Sequence, residues 1–342
     1  VLSEAEEKQA KVVFNLLKEA TSQEVVREFL REKGVAVSAP NWDALYSDRI
    51  LPALREKRLS ISDLALLLRE VEEHGRQHIF LYKCLEDDAQ KLLNRKRIET
   101  IAGELGLSNL LSEPLYVEMP EEPQVVDIRI DEAPNGSGVL SLTVKVCECR
   151  QTSKLVGDEY DEATSRRYKT YEIKKKRAIS IAKLSIDGTL ELRIASRDNS
   201  TKYHEQISEL IRKVNNFFNI TLFHQVSLST AKDTLFKNKE KFEGTIRYSN
   251  TTARNDFGVA MNLSASNLSQ SLLEDNGSNS AMKEFLSNDG FVTGSNIWFI
   301  LPEDEDRQIH VILSGETHEF AVTGACTSRE YSYVLGKILS LN

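Results

Sequence analysis

Asp161 and the triplet Glu172-Ile173-Lys174 stand in the order of a metal-dependent nuclease site. In such a site two carboxylates on neighbouring strands hold a divalent ion, and a lysine helps to activate the attacking water. Mg²⁺ would be the cofactor, and genome defence or restriction the setting. Against this, Glu172 sits in a polar run, whereas such a ligand needs an apolar strand to hold it rigidly. Short patterns of common residues also arise by chance. His74 and His78 are four apart, with Glu70 and Glu73 beside them and Cys84 downstream. That spacing suits two metal ligands on one helix. His-Glu-x-x-His is absent, however, and His78 falls on an apolar stripe, so a packed, hydrogen-bonded core histidine is expected. Cys147 and Cys149 lack a second close pair, which argues against zinc. Outside the nuclease alternative, no metal or other cofactor is expected.

The strongest charge feature is a dipole along the chain. Asp158, Glu159, Asp161 and Glu162 precede Arg166, Arg167, Lys169, Lys174, Lys175, Lys176 and Arg177, with Tyr168 and Tyr171 interleaved. Cations with aromatics suit phosphate contact combined with stacking on bases or sugars. The bland alternative is an edge strand that lysine protects from aggregation. Arg95-Lys96-Arg97 forms a smaller patch, explicable as an exposed helix face. The chain carries a formal charge of −8, which argues against coating nucleic acid with the whole surface but leaves a local basic site open.

These groups need a scaffold, and its punctuation is legible. Ser3 with Glu6 and Thr21 with Glu24 read as capping boxes ahead of two helices, the second stopped by Gly34. Asn41 can cap a third helix, divided by Pro52. Ser60 and Asp63 open what reads as the longest helix, with a stripe from Leu64 through Leu67, Leu68, Val71, Gly75, His78 and Ile79 to Tyr82. A fifth helix spans Asp88 to Leu105. Residues 112–124 hold Pro114, Pro120 and Pro123 among four glutamates, the composition of a linker.

Beyond it the period changes to two. Val126, Ile128 and Ile130 alternate, Asn135-Gly136 offers a turn, and Leu140 to Val146 alternate again. A hairpin centred on Asp187-Gly188 should place Leu184 opposite Leu190 and Ala182 opposite Leu192. An amphipathic helix from Tyr203 to Phe217, five further strand candidates and a closing helix from Tyr331 to Leu339 follow. The Asn/Ser-rich stretch 262–280 reads as loops around a short helix. The fold class is therefore α+β, a helical bundle (1–111), a Pro/Glu linker (112–124) and a larger, mostly antiparallel sheet domain with a few helices (125–342).

With 342 residues, two cores are comfortable. No run approaches the roughly 18 apolar residues of a membrane span, so no membrane partner is expected. Four scattered cysteines and no visible secretory signal favour a reducing, intracellular compartment, cytoplasmic or nuclear/nucleoid.

The segment Glu56-Lys57-Arg58-Leu59-Ser60-Ile61-Ser62-Asp63-Leu64-Ala65-Leu66-Leu67, followed by Gln77-His78, resembles the helical-domain segment of the centromere protein N family. The length and the order of domains are similar too. The resemblance implies a pyrin-like helical domain followed by a sheet domain, with a basic groove between them that engages nucleosomal DNA. Phosphate-loop, dinucleotide-binding and serine-elbow motifs are all absent, which favours a non-catalytic protein. The expected function is a binding factor whose basic hairpin, Arg166 to Arg177, engages nucleic acid (DNA above RNA) or another anionic partner while the helical domain contacts protein. The alternatives are the nuclease and a protein-interaction scaffold. Self-association is compatible with each.

Overall fold

The computed structural model describes residues 2–136, 138–197, 203–242, 244–265, 271–313 and 315–342. The chain opens with α1 (Glu4–Ala20), closed at its start by the Ser3/Glu6 capping box. Thr21 does not cap the next helix. It terminates α1, and Ser22 takes the cap position of α2 (Gln23–Glu32). Gly34, at φ +69°, lets the Val35 N–H reach the Leu30 carbonyl and ends α2. Asn41 caps α3 (Trp42–Leu45), which runs through one wide turn at 46–50 into α4 (Leu51–Arg55), with Pro52 in its first turn. Ser60 and Asp63 form the capping box of α5 (Ile61–Glu73). Phe14, Leu17, Leu30, Leu45, Ile50, Leu64 and Leu68 meet as one dry core.

The stripe from Leu64 to Tyr82 predicts one long helix, and the structure corrects this. The helix ends at Glu73, and β1 (Gly75–Lys83) follows in the middle of the sheet. Gly75 and Arg76 both have positive φ and turn the chain between the two elements. In a strand, neighbouring side chains point to opposite faces. Phe80 and Tyr82 therefore enter one core while Ile79 and Leu81 enter another. The fifth helix is also divided, into α6 (Glu86–Leu92) and α7 (Arg95–Glu104), because Asn94 caps the second piece.

The remaining strands are β2 (Gln124–Glu132), β3 (Val139–Asp161), β4 (Arg166–Ser185), β5 (Thr189–Ala195), β6 (His224–Gln225), β7 (Ile246–Asn255), β8 (Ala260–Ser264), β9 (Gly290–Leu301), β10 (Asp304–Leu313) and β11 (Glu319–Ala325). They form one antiparallel sheet in the order β2-β3-β4-β5-β1-β11-β10-β9-β7-β8, with β6 on the end of β1. The chain is α+β. The Asp187-Gly188 hairpin has the expected register, Leu184 opposite Leu190 and Ala182 opposite Leu192.

Helices α6, α7 and α8 (His204–Phe218) cover one face of the β1–β5 half. On the other face lie the N-terminal helices, together with α9 (Ser229–Lys237), α10 (Asn276–Ser287) and α11 (Ser328–Ser340). In the 262–280 stretch, β8 ends at Ser264 and α10 starts at Asn276, while 266–270 lie outside the described residues. The Pro/Glu segment is held on both sides. Gln9 and Asn15 of α1 donate to Glu113 and Glu118, and the Leu115 N–H donates to the Val126 carbonyl. Among the described residues no helix is long and apolar enough to cross a membrane.

Candidate nucleic-acid interface

Pairing of β2 with β3 ends at Gln124–Cys147, and pairing of β4 with β5 ends at Ser180–Ile194. Pairing of β3 with β4 continues from Cys149–Arg177 to Asp161–Arg166. The outer part is thus a two-stranded ribbon with no neighbouring strand among the described residues, about 40 Å long at about 3.3 Å per residue. Residues 148–177 hold nine Lys or Arg and six Asp or Glu, so the ribbon carries +3 on a chain of −8. Most of the acids gather towards the tip, in Asp158, Glu159, Asp161 and Glu162, and the cations on the returning strand.

Side chains paired across the ribbon share a face, and alternate pairs change face. Arg167, Lys169, Tyr171, Ile173 and Lys175 therefore lie on one side, the side of Arg177. Arg166, Tyr168, Glu172, Lys174 and Lys176 lie on the other. Tyr168 and Tyr171 are on opposite faces, so the expected nine-residue site is not one flat surface. Arg167 makes a bidentate pair with Asp158 at 2.6 and 2.7 Å, and Lys174 approaches Glu172 at 3.7 Å. Arg166, Lys169, Lys175 and Lys176 form no ion pair among the described residues.

Arg177 is turned inward. Its Nη1 pairs with Glu72 of α5 and its Nε donates to the Val117 carbonyl at 2.8 Å; burial pulls its pKa down to about 10. It anchors the base of the ribbon. The smaller patch is similarly engaged. Arg97 donates to the carbonyls of Leu92, Asn216 and Phe217, tying α7 to α8, and Arg95 pairs with Glu99 and Glu132.

The nuclease triad is not assembled. Asp161 sits in the tip, where it accepts hydrogen bonds from the Ala163 and Thr164 N–H groups and the Thr164 hydroxyl. Those bonds hold its carboxyl below the usual range, the Thr164 hydroxyl most of all. Its cross-strand partner Arg166 is six residues from Glu172, about 20 Å along the strand. Glu172 faces Lys154 instead. His74 ends α5, and burial lowers its pKa, assisted by the nearby Arg193. His78 lies on β1, 2.5 Å from the Glu319 carboxylate and stacked on Tyr203 with centroids 4.1 Å apart. Among the described residues no three His, Cys, Asp or Glu side chains gather as a metal site.

No family model matches this chain, and neither does any curated protein.

Sequence reasoning missed the ion network beneath the ribbon. Glu73 accepts from Arg129 at 2.8 and 2.5 Å and from Lys145 at 3.2 Å, and Lys145 also pairs with Glu72 at 2.7 Å. Arg129 also pairs with Asp127, Arg193 with Glu191, and the Tyr331 hydroxyl with Glu191. Burial alone would raise the Glu73 pKa, but Lys145 and Arg129 outweigh it and hold the group at about 2. For Asp127, burial outweighs Arg129 and Lys145 and the pKa is raised, with the Glu73 charge adding to the rise. The available signal was Lys145 and Arg129 in otherwise apolar strands. The thiols follow the same burial logic. Burial pushes Cys147 and Cys326 up to about 12. In folded protein near neutral pH, maleimide should therefore label the half-exposed Cys149 and spare those two, as peptide mapping would show; labelling of Cys147 at the rate of Cys149 would contradict the packing at the ribbon base.

Proposed function

We propose that the protein is a non-catalytic binding factor whose ribbon engages nucleic acid, DNA above RNA, or another polyanion, while the helical unit serves a protein contact. The observation that carries this is the ribbon itself. It is a free-standing basic projection from an acidic molecule, with Arg166, Lys169, Lys175 and Lys176 uncommitted and Tyr168 and Tyr171 exposed. A two-stranded ribbon is marginally stable in water by itself, and cations on it can follow a phosphate backbone. The likeness of residues 56–67 to the centromere protein N family supports the same direction. The separation of Asp161 from Glu172 speaks against the nuclease alternative.

The test is the triple reversal Lys174→Glu, Lys175→Glu and Lys176→Glu, assayed by fluorescence anisotropy on single- and double-stranded DNA and RNA. For the parent protein, affinity should fall steeply with salt, because neutralised phosphates release counterions. If all three lysines contact phosphates, the reversal should flatten the log–log salt slope on duplex DNA by about 3, close to 0.9 per contact. It should weaken binding at every sequence and leave the thermal midpoint nearly unchanged, since these charges are exposed. A triple variant that binds like the parent would overturn the nucleic-acid reading and leave the scaffold in its place.

A further inference from the structure

One face of the ribbon carries apolar side chains between its cations. Leu155 pairs directly with Tyr171, and Ser153 with Ile173. Ile173 is 62% exposed, Tyr171 50% and Leu155 45%. Val156 is the extra residue of a bulge between the Leu155–Tyr171 and Gly157–Thr170 pairs. That bulge resets the alternation, so Tyr160, 63% exposed, comes onto the face of Leu155 rather than the opposite one. On the other face Tyr168 stands apart from any comparable row. Exposed apolar residues scattered singly are ordinary, but a contiguous row on a ribbon with open edges invites aggregation unless something covers it.

We infer that this face docks an acidic protein segment whose apolar side chains lie between its carboxylates. The charges on the face select such an occupant. Lys175 and Lys169 bracket Ile173 and Tyr171, and neither forms an ion pair among the described residues. Arg167 is neutralised by Asp158 on the same face. The two lysines are about 20 Å apart along the strand, so the segment must place carboxylates at that separation around an apolar centre. Nucleic acid matches the lysines, but its phosphates and sugars are polar and leave Leu155 and Ile173 without an apolar partner. The row starts beside the helical unit, because Arg177 at its base is held by Glu72 and the Val117 carbonyl. The docked segment therefore has a wall at one end and solvent at the other. This goes beyond the nucleic-acid reading and shares Lys169, Lys175 and Tyr171 with it, so variants that change only Lys174 and Lys176 on the opposite face, or only Ile173 and Leu155 here, separate the failure of one from the failure of the other.

The probe is a phage-displayed library of random peptides of about 12 residues, twice the six or so that span 20 Å when extended. Selection is made on the full chain, with counter-selection on the Ile173→Ser/Tyr171→Ser variant. Enriched peptides should combine Asp or Glu with apolar residues. A synthetic representative should bind the double variant at least about tenfold more weakly than the parent, the loss typical of removing interface anchors. Leu155→Ser should weaken it in the same direction, while Lys174→Glu with Lys176→Glu on the opposite face should leave it within about twofold. Circular dichroism and thermal midpoints confirm that each variant is folded. Any of these results would overturn the inference: no enrichment, enriched peptides without acidic residues, equal binding to the double variant, or parental self-association in sedimentation that the double variant abolishes. The last would assign the face to a second copy of this chain. Duplex DNA binding that drops with Ile173→Ser/Tyr171→Ser as far as peptide binding does would assign it to nucleic acid and also sink the proposal.

Discussion

Replacing Glu73 with alanine is expected to lower the unfolding free energy by about 3–5 kcal/mol, the usual result of removing one partner from a buried ion pair. Glu73 is the last residue of α5, and its carboxylate is the shared acceptor for Arg129 and Lys145. Without it, Lys145 keeps Glu72 and Arg129 keeps Asp127, and the buried site between the helical unit and the sheet is one negative charge short. Urea unfolding near neutral pH measures the loss, and a change below about 1 kcal/mol would show that the network is solvated rather than buried. The sign with pH follows from the direction of the shift. The Glu73 pKa is lowered from 4.5 to about 2, so its contribution is complete above 4.5 and disappears as pH falls through that window. Asp127 has the opposite sign. Its pKa is raised, so acid relieves rather than adds to its cost. The acid limb of the parent should therefore be steeper than that of Glu73→Ala, because Asp127 alone remains of the two.

Gly75→Ala should be as damaging, by about 2–5 kcal/mol, and for purely steric reasons. Gly75 has φ +77°, which costs an alanine about 1–2 kcal/mol. A β-carbon there would also strike the Gly324 carbonyl oxygen and stand 2.8 Å from both Ala325 Cα and Cys326 N. Those are backbone atoms of the paired strand β11 and of the residue that follows it, which cannot rotate away, and overpacking of this kind adds about 1–3 kcal/mol. Gly34→Ala provides the comparison. Its φ is +69°, but nothing lies within 4 Å of the added carbon, so only the conformational cost of about 1–2 kcal/mol applies. Equal losses for the two variants, measured by chemical denaturation, would show that the Gly75–β11 approach is looser than the pairing indicates.

By itself the sequence determined the features whose forces are local. The Ser3/Glu6 and Ser60/Asp63 boxes, the stop at Gly34 and the register of the Asp187-Gly188 hairpin each depend on bonds or dihedrals within a few residues. The α+β class follows from the change of period, which is also local. Only the tertiary structure decided β1. Its apolar residues extend the helical stripe of α5 without interruption, and what makes it a strand is pairing with β5 and β11, more than 100 residues away. Alternation in β2 and β3 shows which residues share a face. It cannot show that Asp127, Arg129 and Lys145 face the glutamates at the end of α5 instead of water.

The same limit governs the candidate site. The charges and tyrosines of residues 158–177 were legible as composition, because composition needs no partner. Register then separated Asp161 from Glu172, Glu72 drew Arg177 inward, and one bulge at Val156 set Tyr160 on the face of Leu155. Each of these is a cross-strand or long-range contact, and a one-residue slip in pairing would reverse the faces without changing a single side chain.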